Sequence, residues 1–279
     1  MTGRIRHMRL LTRFANPLRT TRAFEWAESV DLVLGRKLGR DRSWLDPFEP
    51  PYRAELAGLD RCFSPEAADE ALKILAPYRE EMVGLPPALF LNGFFGPADV
   101  AFYWSFIRSR RPETVVEVGS GYSSRVALRA LEKNGRGRLV CIDPAPRLHL
   151  PQNNLTHVAA KVEDADARLF EEFRPNDILF IDSSHMGDEV RKHAAIIDRL
   201  PAGALVHYHD IDYPWARQQP EWDEDAVLAS FLDARPEWRV VVSGSILTRD
   251  YLHQLRGAIP LYRRTPYRRY NGLWMIKTA

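Results

Sequence analysis

The chain has 279 residues, 45% hydrophobic and 27% charged, with a formal net charge of +2. Those proportions are ordinary for a globular protein, and the near-neutral charge gives no bulk case for nucleic acid. No apolar run approaches the ~20 residues that span a bilayer, and Cys62 and Cys141 make neither a disulfide framework nor a CxxC pair.

The first residues, "MTGRIRHMRLLTRF", lack the apolar core and small-residue cleavage site of a secretory signal, so a reducing, cytoplasmic setting is expected. Arginines run from Arg4 to Arg22 with no acid among them, which reads as a solvated basic arm. Residues 1–90 are expected to form a helical N-terminal or lid region. Within it, "TRAFEWAESVDLVLGRKLG" (21–39) puts Phe24, Ala27, Val30 and Leu34 on one helical face. "DPFEPPY" then reads as a Pro-rich linker, and Ser64-Pro65 opens another helix with Ser as cap and Pro at its first position. "GPADVAFYWSFIRSRRP" (96–112) repeats the device, apolar nearly all round, so that helix is expected to be buried.

From residue 113 the pattern alternates. Strands are predicted at "TVVEV", "RLVCID", "THVAAKV", "DILFID", "ALVHYHD", "WRVVVSG" and "NGLWMIKT". Helices fall between them at "YSSRVALRALEKNG", "DADARLFEEF", "GDEVRKHAAIIDRL" and "DEDAVLASFLDARP". Short apolar strands alternating with amphipathic helices specify a mostly parallel sheet covered on both faces. The expected architecture is therefore α/β and Rossmann-like, over residues 91–279.

The most specific stretch is "VVEVGSGYSS" (115–124), where a strand ends in Glu117 and a Gly119-Ser-Gly121 turn leads into a helix. Such a turn lets the backbone approach a ligand, and the helix start offers unpaired N–H groups, here of Tyr122 and its neighbours. A dinucleotide fingerprint wants a third glycine where this chain has Ser124, and an acid at Glu117 would repel a pyrophosphate. The acid suits the ammonium of S-adenosylmethionine (SAM). Asp143 closes the second strand, where it can hold two ribose hydroxyls. Glu163 and Asp164 close the third, where a polar group meets adenine, and Asp182 closes the fourth. In an open α/β sheet, ligands sit at these strand ends.

With "EVGSG", "FIDSSH", "HxHDI" and a final "GLW", the chain resembles the class I SAM-dependent methyltransferases, and a bacterial set within them. "LNGFFGPADVAFYW" (91–104) is similar to the segment before the cofactor loop in that set, so the resemblance covers about residues 90–279. It implies a seven-stranded sheet with the last strand antiparallel. It implies that Glu117, Gly119 and Gly121 hold the amino-acid end of SAM, with Tyr122 and Ser124 also among the cofactor-binding residues. Asp143 would hold the ribose, Glu163 and Asp164 would lie near the adenine, and Asp182 near the methyl donor. Amino and nucleic-acid N-methyltransferases often carry an Asn/Asp-Pro-Pro-aromatic stretch after strand four; this chain has "DSSH" there.

The fifth strand runs out in "LVHYHDID", which crowds His207, His209 and Asp210 near Asp182 and His185. One reading makes a histidine (His185, His207 or His209) the general base for an acceptor hydroxyl, oriented by Asp210. A second makes Asp182, His209 and Asp210 a divalent metal site, with ligands better suited to Fe²⁺, Mn²⁺ or Zn²⁺ than to Mg²⁺. A third has the histidines only stiffening a loop. The need to remove a hydroxyl proton favours O-methylation of a small-molecule acceptor. Arg263, Arg264, Arg268 and Arg269 point weakly to an anionic, sugar-like one. A lid is expected from residues 1–60, 213–222 and 245–270, with Tyr213, Trp215 and Trp222 lining the acceptor pocket. The rival readings are a metal-dependent oxygenase or hydrolase on a methyltransferase-like scaffold and a non-catalytic SAM-binding partner protein.

Overall fold

The computed structural model describes residues 52–55, 65–92, 94–146, 148, 153–183, 187–217, 224–262 and 270–278. The basic arm, the helix expected over 21–39, His185, Trp222, the side chain of Trp215 and the arginines at 263–269 lie outside the described residues.

Two strands, β1 (Tyr52–Glu55) and β7 (Trp215–Arg217), pair antiparallel to form a small separate ladder. β1 begins at Tyr52, the last residue of the stretch read as linker, and runs on to Glu55 where no strand was predicted. It joins two of the three segments expected to form a lid.

Among the described residues four α-helices precede the main sheet: α1 (Pro65–Leu75), α2 (Arg79–Val83), α3 (Pro87–Phe90) and α4 (Pro97–Arg110). α4 begins where sequence placed it. Gly96 N–H donates to Asp99 Oδ2 at 2.9 Å, and Pro97 occupies the first turn, where a missing N–H costs nothing. Its residues from Pro97 to Ile107 are all buried, as its even apolarity requires.

The sheet then builds from β2 (Thr114–Val118), α5 (Tyr122–Asn134), β3 (Arg138–Ile142), β4 (Leu155–Val158), α6 (Arg168–Glu171), β5 (Ile178–Ile181), α7 (Gly187–Ile197) and β6 (Leu205–Tyr208). It closes with α8 (Glu224–Asp233), β8 (Trp238–Ser243), α9 (Gly244–Asp250), α10 (Leu252–Ala258) and β9 (Leu273–Lys277). The order is β4-β3-β2-β5-β6-β9-β8. β9 runs antiparallel to both β6 and β8, and the other pairings are parallel, so the expected seven-stranded Rossmann-like sheet is what forms.

Two details differ from expectation. The helices α9 and α10 occupy a stretch where none was predicted; Ser243 Oγ starts the first by accepting from Ile246 N at 3.3 Å. The third predicted strand stops at Val158, and Val162–Asp164 turn as a short 3-10 helix instead.

Parallel register fixes what lies where. Cys141, Glu117, Phe180, His207 and Trp274 are successive cross-strand partners, so they form one row across the sheet. Side chains alternate between faces, so residues two further along point the same way. These are Asp143, Gly119, Asp182 and His209, each just past its strand end. The first row lies beneath α4 in the core, and the second is the row at the carboxyl edge.

Candidate functional site

The edge row is held by backbone hydrogen bonds. Gly119 N–H donates to Ile142 O, Asp182 N–H to Val118 O, and His209 N–H to Ile181 O, each at 2.9 Å. The sheet order reverses here, because β2→β3→β4 runs outward one way and β5→β6 the other. This is the switch point where open α/β sheets bind ligands.

The two loop glycines play different parts. Gly119 has φ +90°, and a Cβ there would stand 2.2 Å from the Asp182 carbonyl oxygen. Only glycine permits that closeness, which ties the β2 loop to the end of β5. At Gly121 a Cβ would meet nothing within 4 Å, so the loop there faces open space.

Asp143 is braced on both oxygens. Ser120 Oγ donates to Oδ2 at 2.6 Å, and Ala145 N–H donates to Oδ1 at 2.8 Å. Ser120, which sequence reasoning left as a spacer between glycines, thus links the glycine loop to the acid expected at the ribose. Glu163 and Asp164 are exposed beyond β4, with Glu163 paired to Lys192 at 3.1 Å.

Glu117 is placed otherwise than expected. It is fully buried in the core row, and its Oε1 accepts from Tyr103 Oη at 2.9 Å. Its Oε2 accepts from Ser124 Oγ, with Cys141 Sγ at 3.6 Å. Burial raises its pKa to about 7, against the opposing effect of those hydrogen bonds. The carboxyl therefore anchors the start of α5 from below and offers no face to a ligand's ammonium. Ser124 likewise turns inward; Gly121 N–H donates to its Oγ at 3.0 Å. Tyr103 was missed because it lies on α4, and only the fold brings it to Glu117.

The histidines also separate. His207 sits in the core row, its ring 4.5 Å from that of Phe180 and 4.2 Å from that of Trp274. Burial drives its pKa well below the ordinary histidine range, with the charge on His209 acting in the same sense. With both ring nitrogens buried among aromatics, His207 is not placed to be the general base expected of it.

His209 belongs to the edge row. Its Nδ1 lies 3.6 Å from Asp182 Oδ1 and 3.6 Å from Asp210 Oδ2, and its Nε2 3.6 Å from Asp99 Oδ1. Asp210 reaches it by taking φ +57°, a left-handed turn that Asp tolerates better than most residues. Burial opposes charge on this ring, but Asp210, Asp182 and Asp99 together overcome it and hold the pKa well above the usual range. The three carboxylates thus favour the charged form of His209, which sets it against the general-base role expected of it. Among the described residues no three His, Cys, Asp or Glu side chains are grouped to hold a metal ion. Asp99 was missed because its helix-capping oxygen gives it a sufficient local reason to exist; only the fold turns its other oxygen toward His209.

Among the described residues no helix is long and apolar enough to cross a membrane.

Residues 116–211 match the family model described as a methyltransferase domain. An uncharacterized protein of Archaeoglobus fulgidus is 34% identical over 94 residues, 31% of this chain and 42% of that protein. The chain thus matches less than half the length of that curated relative. Among solved structures, the O-methyltransferase TomG of Streptomyces achromogenes, in complex with SAM, is 16% identical with a TM-score of 0.42, covering 78% of this chain and 92% of that one. The O-methyltransferase of Bacillus cereus, in complex with SAH, is 14% identical with a TM-score of 0.45, covering 78% and 92%. Likeness at that level adds nothing to the topology read from the chain itself. The match over 116–211 does add to it, since it spans the glycine loop, Asp143, Asp182 and His209: over those residues the chain is similar to a methyltransferase domain.

Proposed function

We propose that the chain is a SAM-dependent methyltransferase acting on a hydroxyl of a small-molecule acceptor. The carrying observation is the edge row, in which a glycine loop, a braced acid at β3 and an acid at β5 stand side by side at the switch point. The residues fit the cofactor. Open space at Gly121 admits its amino-acid end to the loop, and the first amides of α5 suit its carboxylate. Asp143, partly exposed and fixed by Ser120, suits a pair of ribose hydroxyls. Glu163 and Asp164 are assigned to the adenine end.

When bound, SAM supplies an electrophilic methyl on a positively charged sulfur. The chain's own part is to orient the acceptor oxygen in line with that methyl and to exclude water. The acceptor hydroxyl must also lose its proton as the new C–O bond forms. Asp182 is the group assigned to take it: its carboxylate is 43% exposed at the edge, and it is backed by His209 at 3.6 Å. His209 holds Asp182 in place and offsets the neighbouring charge of Asp210. This reading routes no step through a metal.

Calorimetric titration with S-adenosylhomocysteine (SAH) tests the assignment. Micromolar-range binding is expected, unchanged by EDTA and lost in Asp143→Ala. An intact protein that bound neither SAH nor SAM would refute it.

A further inference from the structure

Next to the glycine loop stands an aromatic residue that the fold holds half out of water. Phe94 is 48% exposed, one of only two large hydrophobics so placed among the described residues. Its position is set by Asn92, whose side chain is 4% exposed and fully employed. Asn92 Nδ2 donates to Leu89 O at 2.8 Å and to Phe95 O at 3.0 Å. Its Oδ1 accepts from Phe94 N at 2.9 Å and from Phe95 N at 2.8 Å. This locked turn sends the two adjacent phenylalanines in opposite directions. Phe95 goes inward, its ring 5.8 Å from Phe180 and 5.6 Å from His209. Phe94 goes outward and stacks on Tyr122 at 6.1 Å, the planes 11° apart.

The placement is specific. Tyr122 is the first residue of α5 and directly follows Gly121, where the loop faces open space. Arg125 stands 5.4 Å from the far partner of the stack, the Tyr122 ring. The turn at Asn92 therefore touches both halves of the site, the glycine loop through Phe94 and the β5–β6 edge through Phe95. A cofactor lying between Gly121 and Asp182 would pass beside the exposed Phe94 ring.

We propose that Phe94 is a cofactor-contacting residue whose ring covers the sulfonium end of SAM and, by cation–π attraction, favours the charged cofactor over its neutral product SAH. This deepens the methyltransferase reading and rests on it. An aromatic face attracts a cation electrostatically, and the attraction strengthens where water is excluded. Methyl transfer removes that positive charge, so the same ring would help the spent cofactor leave.

The test is equilibrium binding of SAM, SAH and sinefungin, whose amine carries a positive charge in place of the sulfonium, to the wild type, Phe94→Ala and Phe94→Leu. Phe94→Ala should bind SAM and sinefungin about tenfold more weakly and SAH only a few-fold more weakly. Phe94→Leu should restore SAH affinity but leave the two cations weakened. Circular dichroism and thermal melting check that both variants fold. Unchanged affinity of Phe94→Ala for all three ligands would overturn the proposal. Equal losses for charged and neutral ligands would overturn its cation–π part and leave a steric contact. Failure of the wild type to bind SAM or SAH would instead refute the methyltransferase reading, and this inference with it.

Discussion

Replacing Glu117 by Gln should invert the usual effect of removing a conspicuous acid from a site. The carboxyl is fully buried and its pKa is raised from 4.5 to about 7, chiefly by burial. In the unfolded chain it ionises near its ordinary value, so between those pH values the folded state binds more protons than the unfolded one. Stability must then fall as pH rises through that window and level off above it. At ~1.4 kcal/mol per pH unit the loss is about 3 kcal/mol. Gln has the same shape; its amide oxygen can accept from Tyr103 Oη and its NH₂ can donate to Ser124 Oγ, without the ionisation. Urea unfolding of both proteins from pH 4 to pH 9 gives the comparison, because titrations elsewhere cancel in the difference. Relative to the wild type, Glu117→Gln should gain about 3 kcal/mol between pH 4.5 and 7. A difference that did not change with pH would show that Glu117 is not the buried anchor described, and would return it to a ligand-facing role.

The two loop glycines should fail differently. Gly119→Ala drives a Cβ into the Asp182 carbonyl at a positive φ, so stability should fall by about 2–4 kcal/mol and SAH binding with it. Gly121→Ala should melt within a few degrees of the wild type yet lose at least tenfold in SAH affinity, since its Cβ takes only the space assigned to the cofactor; equal melting losses in the two variants would contradict this. His207→Ala empties a place in the aromatic layer and should cost about 2–4 kcal/mol in urea unfolding while leaving SAH affinity unchanged. His209→Gln should remove a stabilisation that is fully present below pH 6.5 and is lost as pH rises through the elevated pKa of the folded state. The wild-type advantage over this variant should therefore shrink toward alkaline pH, and an advantage that grew with pH would refute the imidazolium.

The sheet was legible because its strands are short apolar runs in a helix-separated series, and seven of them were found where the residues put them. The failures cluster where local pattern is overruled or too weak. "YRAE" has no apolar alternation, and it becomes a strand only because Trp215–Arg217 offers an edge to pair with. The helices between Gly244 and Ala258 follow a β-branched run without a Gly or Pro break strong enough to announce them; Ser243 caps the first from within the strand itself. Glycine spacing, by contrast, carried real information. Gly119 is demanded by a contact with Asp182, sixty-odd residues downstream in the chain, which no local signal specifies but which the strand–turn–helix pattern implies.

The site was half legible, and the division follows the pleat. Each motif presents two polar or aromatic positions two residues apart: Glu117 and Gly119, Cys141 and Asp143, Phe180 and Asp182, His207 and His209. In sequence Glu117 looks as available for chemistry as Gly119, and His207 as His209. In the sheet the first member of every pair falls in the row that α4 covers, and the second falls just beyond the last ladder bond. Period-two alternation places both members on one face, so it could not tell them apart; the end of the strand does. The same step explains the two histidines. His207 is desolvated among Phe180 and Trp274 and stays neutral, whereas His209, one pleat further, meets three carboxylates and is charged. Two of those carboxylates could be guessed from nearby strand ends. The third, Asp99, arrives on a helix more than a hundred residues upstream, and it flanks the ring on the side away from Asp182 and Asp210. With acids facing both nitrogens the imidazole is held toward its charged form, which is why the proposed base is Asp182 and not the histidine.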